Sequence, residues 1–357
     1  MTNRRARTHG RTDARTVVGW VCASVRLCLC ASVLAACEHA QPFGLPPAEP
    51  NVPYEDSFPR QLTYNLLGDV QPAWLPGDSG IIYSLSVGGP DNTHCLGILS
   101  PLGGHLLRTI CHPLTFGGDS TTALWLPAVS PGGYLAYLRE VSRTGAITPD
   151  SAAIVFATLA APDPGRILVK LPYPGGDTVP RTGVGSLHWL SDGALVFLAG
   201  TNAYSYPPYP WDTTFAPLEV VRVGLQGDSA QRTVVPGTAG AIALTADTGG
   251  VMYYVLAGDS RVYRLLDGPG APAPTAWYDF GALGVPTQIE VAGRILVGLV
   301  NDSLYDVHVG GPGAPVVLPL PDSMHVEGIA LDRAGTRLVV TGRIRNLPPD
   351  LWLLELP

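Results

Sequence analysis

The chain has 357 residues, among them 42 glycines and 35 prolines, and 46% of it is hydrophobic. That is too apolar for a disordered chain and too rich in turn formers for long helices. The formal net charge is −7 and Lys170 is the one lysine, so the chain lacks the basic surface that binding a nucleic-acid backbone requires.

The first predicted element is a targeting segment. Residues 1–15 carry five arginines against one acid, Asp13, and an apolar run from Thr16 to Ala36, interrupted by Arg26, ends in Leu34-Ala35-Ala36-Cys37. This ending resembles a bacterial lipobox, in which small residues admit the signal peptidase and the cysteine thiol receives the diacylglycerol. The resemblance implies a signal peptide over 1–36 and Cys37 as the lipidated first mature residue. The apolar run after Arg26 is about 10 residues, too short to span a bilayer. Removing six arginines and one aspartate leaves 16 basic and 28 acidic residues, a net charge near −12. Residues 37–57 are Pro-rich and polar without alternation, as a tether from lipid to domain should be. The expected location is the cell envelope, anchored through Cys37. Glu38 at the following position favours the outer membrane, on its periplasmic side or at the surface.

From residue 58 the chain repeats itself. An apolar strand, a Gly/Asp/Pro turn and a second apolar strand recur at 73–85 (AWLPGDSGIIYSL), 127–138 (PAVSPGGYLAYL) and 187–198 (LHWLSDGALVFL), then at 242–256, 289–300 and 329–342. Aligned at Trp74, Val129, Trp189, Leu244, Val291 and Leu331, the six copies are spaced by 55, 60, 55, 47 and 40 residues. Each spacing suits a four-stranded sheet with its turns. Third strands follow at Asp259-Ser260-Arg261-Val262-Tyr263-Arg264-Leu265, Asp302-Ser303-Leu304-Tyr305-Asp306-Val307 and Asp350-Leu351-Trp352-Leu353-Leu354. This succession of strand, S-P-D-G-type turn, strand and D-x-Y/W strand resembles the repeat of TolB-like six-bladed β-propellers. The fold expected over 58–357 is therefore all-β, with six blades of four antiparallel strands.

The ends fit a closed ring. The last copy stops after its third strand, and Arg60-Gln61-Leu62-Thr63-Tyr64 precedes the first copy as an orphan strand that supplies the missing fourth. Closure of this kind removes edges that would otherwise pair with other chains, and a monomer is expected.

Within the first hairpin, Gly77-Asp78-Ser79-Gly80 spells the four residues that surround the nucleophile of trypsin-like serine proteases. The repeat frame places it where Ser130-Pro131-Gly132-Gly133 and Ser191-Asp192-Gly193 make turns, and Gly-Asp-Ser recurs at 118–120, 227–229 and 258–260. A turn motif recurs in this way and a catalytic one does not, so Ser79 is read as a turn residue. No G-x-S-x-G elbow, phosphate loop or dinucleotide fingerprint is present, and no cofactor is expected.

Around Pro101-Leu102-Gly103-Gly104-His105, read as a five-residue hairpin loop, positions summing to 206 face each other. Cys95 then lies across from Cys111, which predicts a disulfide in an oxidising compartment. His94 and His112 flank the cysteines, but neighbours on a strand point to opposite faces, so four zinc ligands do not converge and no metal is expected. In the third copy the segment 204–212 (YSYPPYPWD) carries Tyr204, Tyr206, Tyr209 and Trp211, a candidate surface for binding a peptide or glycan by stacking. His188, Glu290, His325 and Glu327 are candidates for lining the central channel, with Asp69, Gln71 and Gln288 near them.

Two functional classes follow. The resemblance to TolB-like proteins, which contact peptidoglycan-associated lipoproteins, implies a non-catalytic binding module for an envelope protein, peptide or glycan. The alternative is a metal-dependent propeller hydrolase or lyase, lactonase-like, with its site in the channel. In the absence of a catalytic motif the sequence favours the first, a protein that is not an enzyme.

Overall fold

The computed structural model describes residues 58–64, 67–87, 93–103, 106–112, 120–143, 151–162, 165–171, 181–204, 213–215, 219–225, 232–247, 249–266 and 273–357. The expected leader (1–36), Cys37 and the expected tether (37–57) lie outside these residues. So do Tyr206, Tyr209 and Trp211, and of Tyr204 only the backbone is placed. The described residues hold no α-helix.

Six antiparallel sheets follow one another along the chain. The first four-stranded blade runs β2 (Asp69–Trp74), β3 (Ile81–Ser86), β4 (His94–Leu99) and β5 (Leu106–Ile110). The second runs β6 (Ser120–Val129), β7 (Tyr134–Arg143), β8 (Ser151–Thr158) and β9 (Arg166–Leu171). In the third, β10 (Arg181–Trp189), β11 (Leu195–Tyr204), β13 (Glu219–Val223) and β14 (Arg232–Val234) pair in order, and β12 (Thr213–Phe215) adds to the far end of β11. The fourth blade is β15 (Ala241–Ala246), β16 (Val251–Leu256), β17 (Arg261–Leu266) and β18 (Thr275–Asp279). The fifth is β19 (Gln288–Ala292), β20 (Ile295–Val300), β21 (Ser303–His308) and β22 (Val316–Val317). The sixth combines β23 (Met324–Leu331), β24 (Arg337–Ile344) and β25 (Asp350–Glu355) with β1 (Arg60–Gln61) from the other end of the chain.

The burial of each strand follows from its place in the ring. Second strands are sandwiched between two neighbouring blades and read as continuous apolar runs: Ile81–Ser86 is buried throughout, and so is β16 from Val251 to Val255. In β11 the two faces serve different neighbours. Leu195, Phe197 and Ala199 pack against the second blade, while Val196 and Leu198 pack against the fourth. The core is thus a set of seams between blades, repeated with Val297 and Leu299 against Leu338 and Val340 between the fifth and sixth. Outer strands alternate between buried and exposed positions, as in β17. The six first strands contact one another in the order β2, β6, β10, β15, β19, β23 and back to β2.

Two expectations from the sequence meet the structure here. The stretch Pro76–Asp78 forms a single 3-10 turn with Gly77 at φ 68°, and the Ser79 hydroxyl donates to the Pro76 carbonyl at 2.9 Å. That hydroxyl closes a turn. On β4 and β5, Leu96 faces Ile110 and Gly97 faces Thr109, the register in which Cys95 meets Cys111. The two Sγ atoms lie 2.00 Å apart, at bonding distance.

Candidate functional site

The six first strands surround a cavity of about 880 Å³. Its wall begins at the loops joining first to second strands, including Gly77, Pro131, Ser191, Gly293 and Arg333, and runs inward along β2, β6, β10, β15, β19 and β23.

One local device shapes that wall. The first strand slips register against the second between Val70 and Ala73, Trp125 and Ala128, Gly185 and Leu187, Ala241 and Ala243, and Val326 and Gly328. Each slip is a bulge whose extra residue has no opposite partner, and bulges re-aim side chains. The residues they release, among them Gln71, Leu126, Ser186, Ile242 and Glu327, all line the cavity. In the fifth blade β19 pairs β20 without a slip.

Neighbouring first strands are stitched together by side chains. Gln71 accepts from the Leu126 N–H at 2.8 Å and from the Ser84 hydroxyl at 3.2 Å. Gln288 Nε2 donates to the Glu327 carbonyl at 2.9 Å, and the indole N–H groups of Trp74 and Trp189 donate to the carbonyls of Ala330 and Ala128, both at 3.0 Å. These bonds satisfy polar groups that a seam would otherwise bury unpaired.

Two titratable side chains are held differently. β15 lies between β10 and β19 in the ring, and its consecutive residues Leu244 and Thr245 grip one group from each side. His188 of β10 lies beside the Leu244 backbone, whose carbonyl favours the charged imidazole. The Thr245 hydroxyl, itself buried, hydrogen-bonds Glu290 Oε2 at 3.1 Å. Both groups are half-buried: they touch the cavity, while protein encloses them on their other sides. Enclosure disfavours charge in each. It lowers the His188 imidazole to about 4, against a smaller opposing effect of the Leu244 carbonyl, and pushes the Glu290 carboxyl up to about 8, against that of Thr245. At neutral pH burial thus favours the unprotonated imidazole and the protonated carboxyl.

The other channel candidates fare differently. Glu327 lines the cavity, but its Oε1 is paired with the Arg343 guanidinium at 2.7 Å. His325 does not line the cavity; it is 64% exposed and its Nδ1 sits 3.2 Å from the exposed Asp302. Asp69 is fully buried within its blade. His188 and Glu290 thus both line the cavity, Glu327 reaches it with its charge matched, and His325 is off it. Among the described residues no three His, Cys, Asp or Glu side chains come together closely enough to hold a metal ion. The residues present do not fit the metal of the lactonase-like alternative. Sequence reasoning missed Leu126 and Ile242 because a bulge has no sequence signature here, and Thr245 because nothing marks which strand will lie beside Glu290.

No protein-family model matches the sequence, and no curated protein matches it. Solved structures do. A gluconolactonase from Xanthomonas campestris aligns with a TM-score of 0.53 at 18% identity, covering 87% of this chain and 99% of the other. A luciferin-regenerating enzyme aligns at 0.50 and 15%, covering 84% and 93%. TolB from Acinetobacter baumannii aligns at 0.50 and 14%, covering 78% and 64%. Likeness at these identities is one of fold, and the chain is a six-bladed β-propeller. Because full-length enzymes share that fold with it, the expectation that a propeller lacking a recognisable motif is not an enzyme is corrected.

Proposed function

We propose that the propeller is a hydrolase of small esters or lactones, acting in its central cavity with Glu290 as general acid and His188 as general base. One feature carries this reading: two cavity-lining groups on either flank of β15 sit where burial disfavours charge, which lowers the His188 imidazole to about 4 and raises the Glu290 carboxyl to about 8. Environments that push two titratable groups apart in this way assign acid and base. The fold shared with a gluconolactonase is consistent with it.

In the reaction, a water oxygen attacks the ester carbonyl while the neutral His188 imidazole takes the water's proton. As the tetrahedral intermediate collapses, Glu290 donates its proton to the departing alkoxide oxygen. The C–O bond breaks to give a carboxylic acid and an alcohol, and proton return from His188 to Glu290 resets the site.

The pH dependence of kcat/KM for the full-length protein tests this. Activity requires His188 unprotonated and Glu290 protonated, so the expected profile is a plateau between about 4 and 8 that falls on both sides. His188→Gln should lower the plateau at least a hundredfold. A profile that keeps rising through pH 9 would exclude Glu290 as the acid.

We propose separately, from the lipobox-like Leu34-Ala35-Ala36-Cys37, that the protein is held in the envelope by a lipid on Cys37. Cys37→Ser should move the protein from the membrane to the soluble fraction of the envelope, and continued membrane retention would refute the anchor.

A further inference from the structure

Among the described residues, the cavity offers an incoming molecule no unmatched charge beyond its rim. At the mouth, the Asp247 carboxylate is spent on its own turn, accepting from the N–H groups of Gly249 and Val251 at 2.8 and 3.0 Å and from the Tyr253 hydroxyl at 3.2 Å. Asp78 faces the backbone N–H of Arg333 at 3.3 Å, and the exposed Arg333 side chain stays at the rim. Further in, Glu327 is matched by Arg343. An ionic group carried inside would lose its hydration with nothing to replace it.

What the wall does offer is apolar. Leu75, Leu126 and Ile242 line the cavity and are half-buried, so part of each side chain faces the open space. Leu126 and Ile242 reach it through bulges, and Leu126 does so at φ 50°, a left-handed conformation uncommon for a bulky residue. Backbone strain of this kind clusters where a side chain must be presented. Ile242 sits two residues inward of Leu244, so the apolar surface lies deeper than the level at which His188 is held.

We infer that the site takes an uncharged lactone or ester bearing an apolar arm, admitted from the face that carries the loops between first and second strands. The arm lies against Leu126 and Ile242, and the ester group stops at Glu290 and His188. This inference rests on the hydrolase reading of the same cavity and adds the substrate class to it.

The test uses three probes on the full-length protein: γ-butyrolactone, γ-decalactone and a phosphorylated sugar lactone. Binding is measured by calorimetry on the Glu290→Gln variant, which removes turnover, and hydrolysis by pH-stat on the unsubstituted protein. γ-Decalactone should bind at least tenfold more tightly than either of the others. Leu126→Asn, which tolerates the left-handed backbone, and Ile242→Thr should each cost γ-decalactone about tenfold in affinity and change γ-butyrolactone less than twofold. His325→Ala, off the cavity, should change neither. Equal or tighter binding of the phosphorylated lactone, or loss of the preference for the long arm, overturns the inference. If γ-decalactone binds with these dependences but is not hydrolysed, the hydrolase reading fails and the substrate class stands. If all lactones are hydrolysed alike, the reverse holds. Should either variant fail to fold, the ranking of the three probes on the otherwise unsubstituted cavity decides.

Discussion

Glu290→Gln is expected to lose hydrolysis by a factor of about 10²–10⁴ with little change in KM, and at the same time to make the protein more stable at alkaline pH. The first effect follows from chemistry. Glutamine keeps the shape and the bond to Thr245 but has no acidic proton to give the leaving oxygen. The second follows from linkage. In the folded protein the carboxyl holds its proton up to about pH 8, against an ordinary value of 4.5. Between those values the folded state binds more protons than the unfolded one, so stability falls as pH rises through that window. Below about 4.5 both states are protonated and this loss is absent; above about 8 it is complete. The variant carries no such loss. Its advantage over the unsubstituted protein should grow by on the order of 3 kcal/mol between pH 4 and 9, less than the full gap implies because water in the cavity reaches the carboxyl. His188 contributes its own pH dependence, lost as pH falls toward about 4, but equally in both proteins. Urea unfolding of the two proteins at several pH values measures the growth. A constant difference would mean that Glu290 is ionised in the cavity, which removes the general acid.

Reading the chain marks Glu290 as a channel candidate but not the burial that keeps its proton on. The ring, by contrast, was legible, because each blade must solve the same problem with the same pieces: a half-buried first strand, a turn built on Gly77, Gly133 or Gly193, and a second strand apolar on both faces. Aligning those pieces fixed the blade count and the strand that closes the ring. The register of Leu96 with Ile110, in which Cys95 meets Cys111, was as expected, although a bulge between Ile98 and Leu99 lies between that pair and the loop. The channel was legible in part: His188, Glu290 and Glu327 line the cavity and His325 does not. Strict alternation puts His325 and Glu327 on one face of β23, yet the bulge between Val326 and Gly328 breaks that alternation, leaving Glu327 at the cavity and His325 beside Asp302. The same break between Val70 and Ala73 separates Gln71, at the cavity, from the buried Asp69. The first strands face water on one side and six different neighbours on the other, so a single extra residue decides which side chains the cavity receives.

The strand that closes the ring gives a second large expected effect: Leu62→Ala should cost about 3 kcal/mol of stability, although it lies near the start of the described chain, where substitutions are usually tolerated. Its side chain is 1% exposed and its N–H donates to the Leu351 carbonyl at 2.7 Å, continuing the pairing of Arg60 and Gln61 with Leu353 and Trp352. Thr63 adds to the junction. Its hydroxyl accepts from the Leu351 N–H at 2.9 Å and donates to Asp350 Oδ1 at 3.2 Å, while Gln61 Nε2 donates to Asp350 Oδ2 at 2.9 Å. Thr63→Val would leave the Leu351 N–H buried without that acceptor, a cost of about 1–3 kcal/mol. On the other side Arg60 donates to the Pro101 carbonyl in the loop after β4, so this short segment joins the sixth blade to the first. If it detaches, Asp350–Glu355 becomes an open edge with buried-type residues Leu351, Leu353 and Leu354, which invites pairing with a second chain. Leu62→Ala and Thr63→Val should therefore lower the denaturant midpoint and raise the fraction of oligomer seen by size exclusion on mild heating. Leu102→Ala, on the same loop as Pro101 but 60% exposed, should do neither. Unchanged midpoints in both junction variants would mean that the ring holds without its closing strand, by the seams between blades alone.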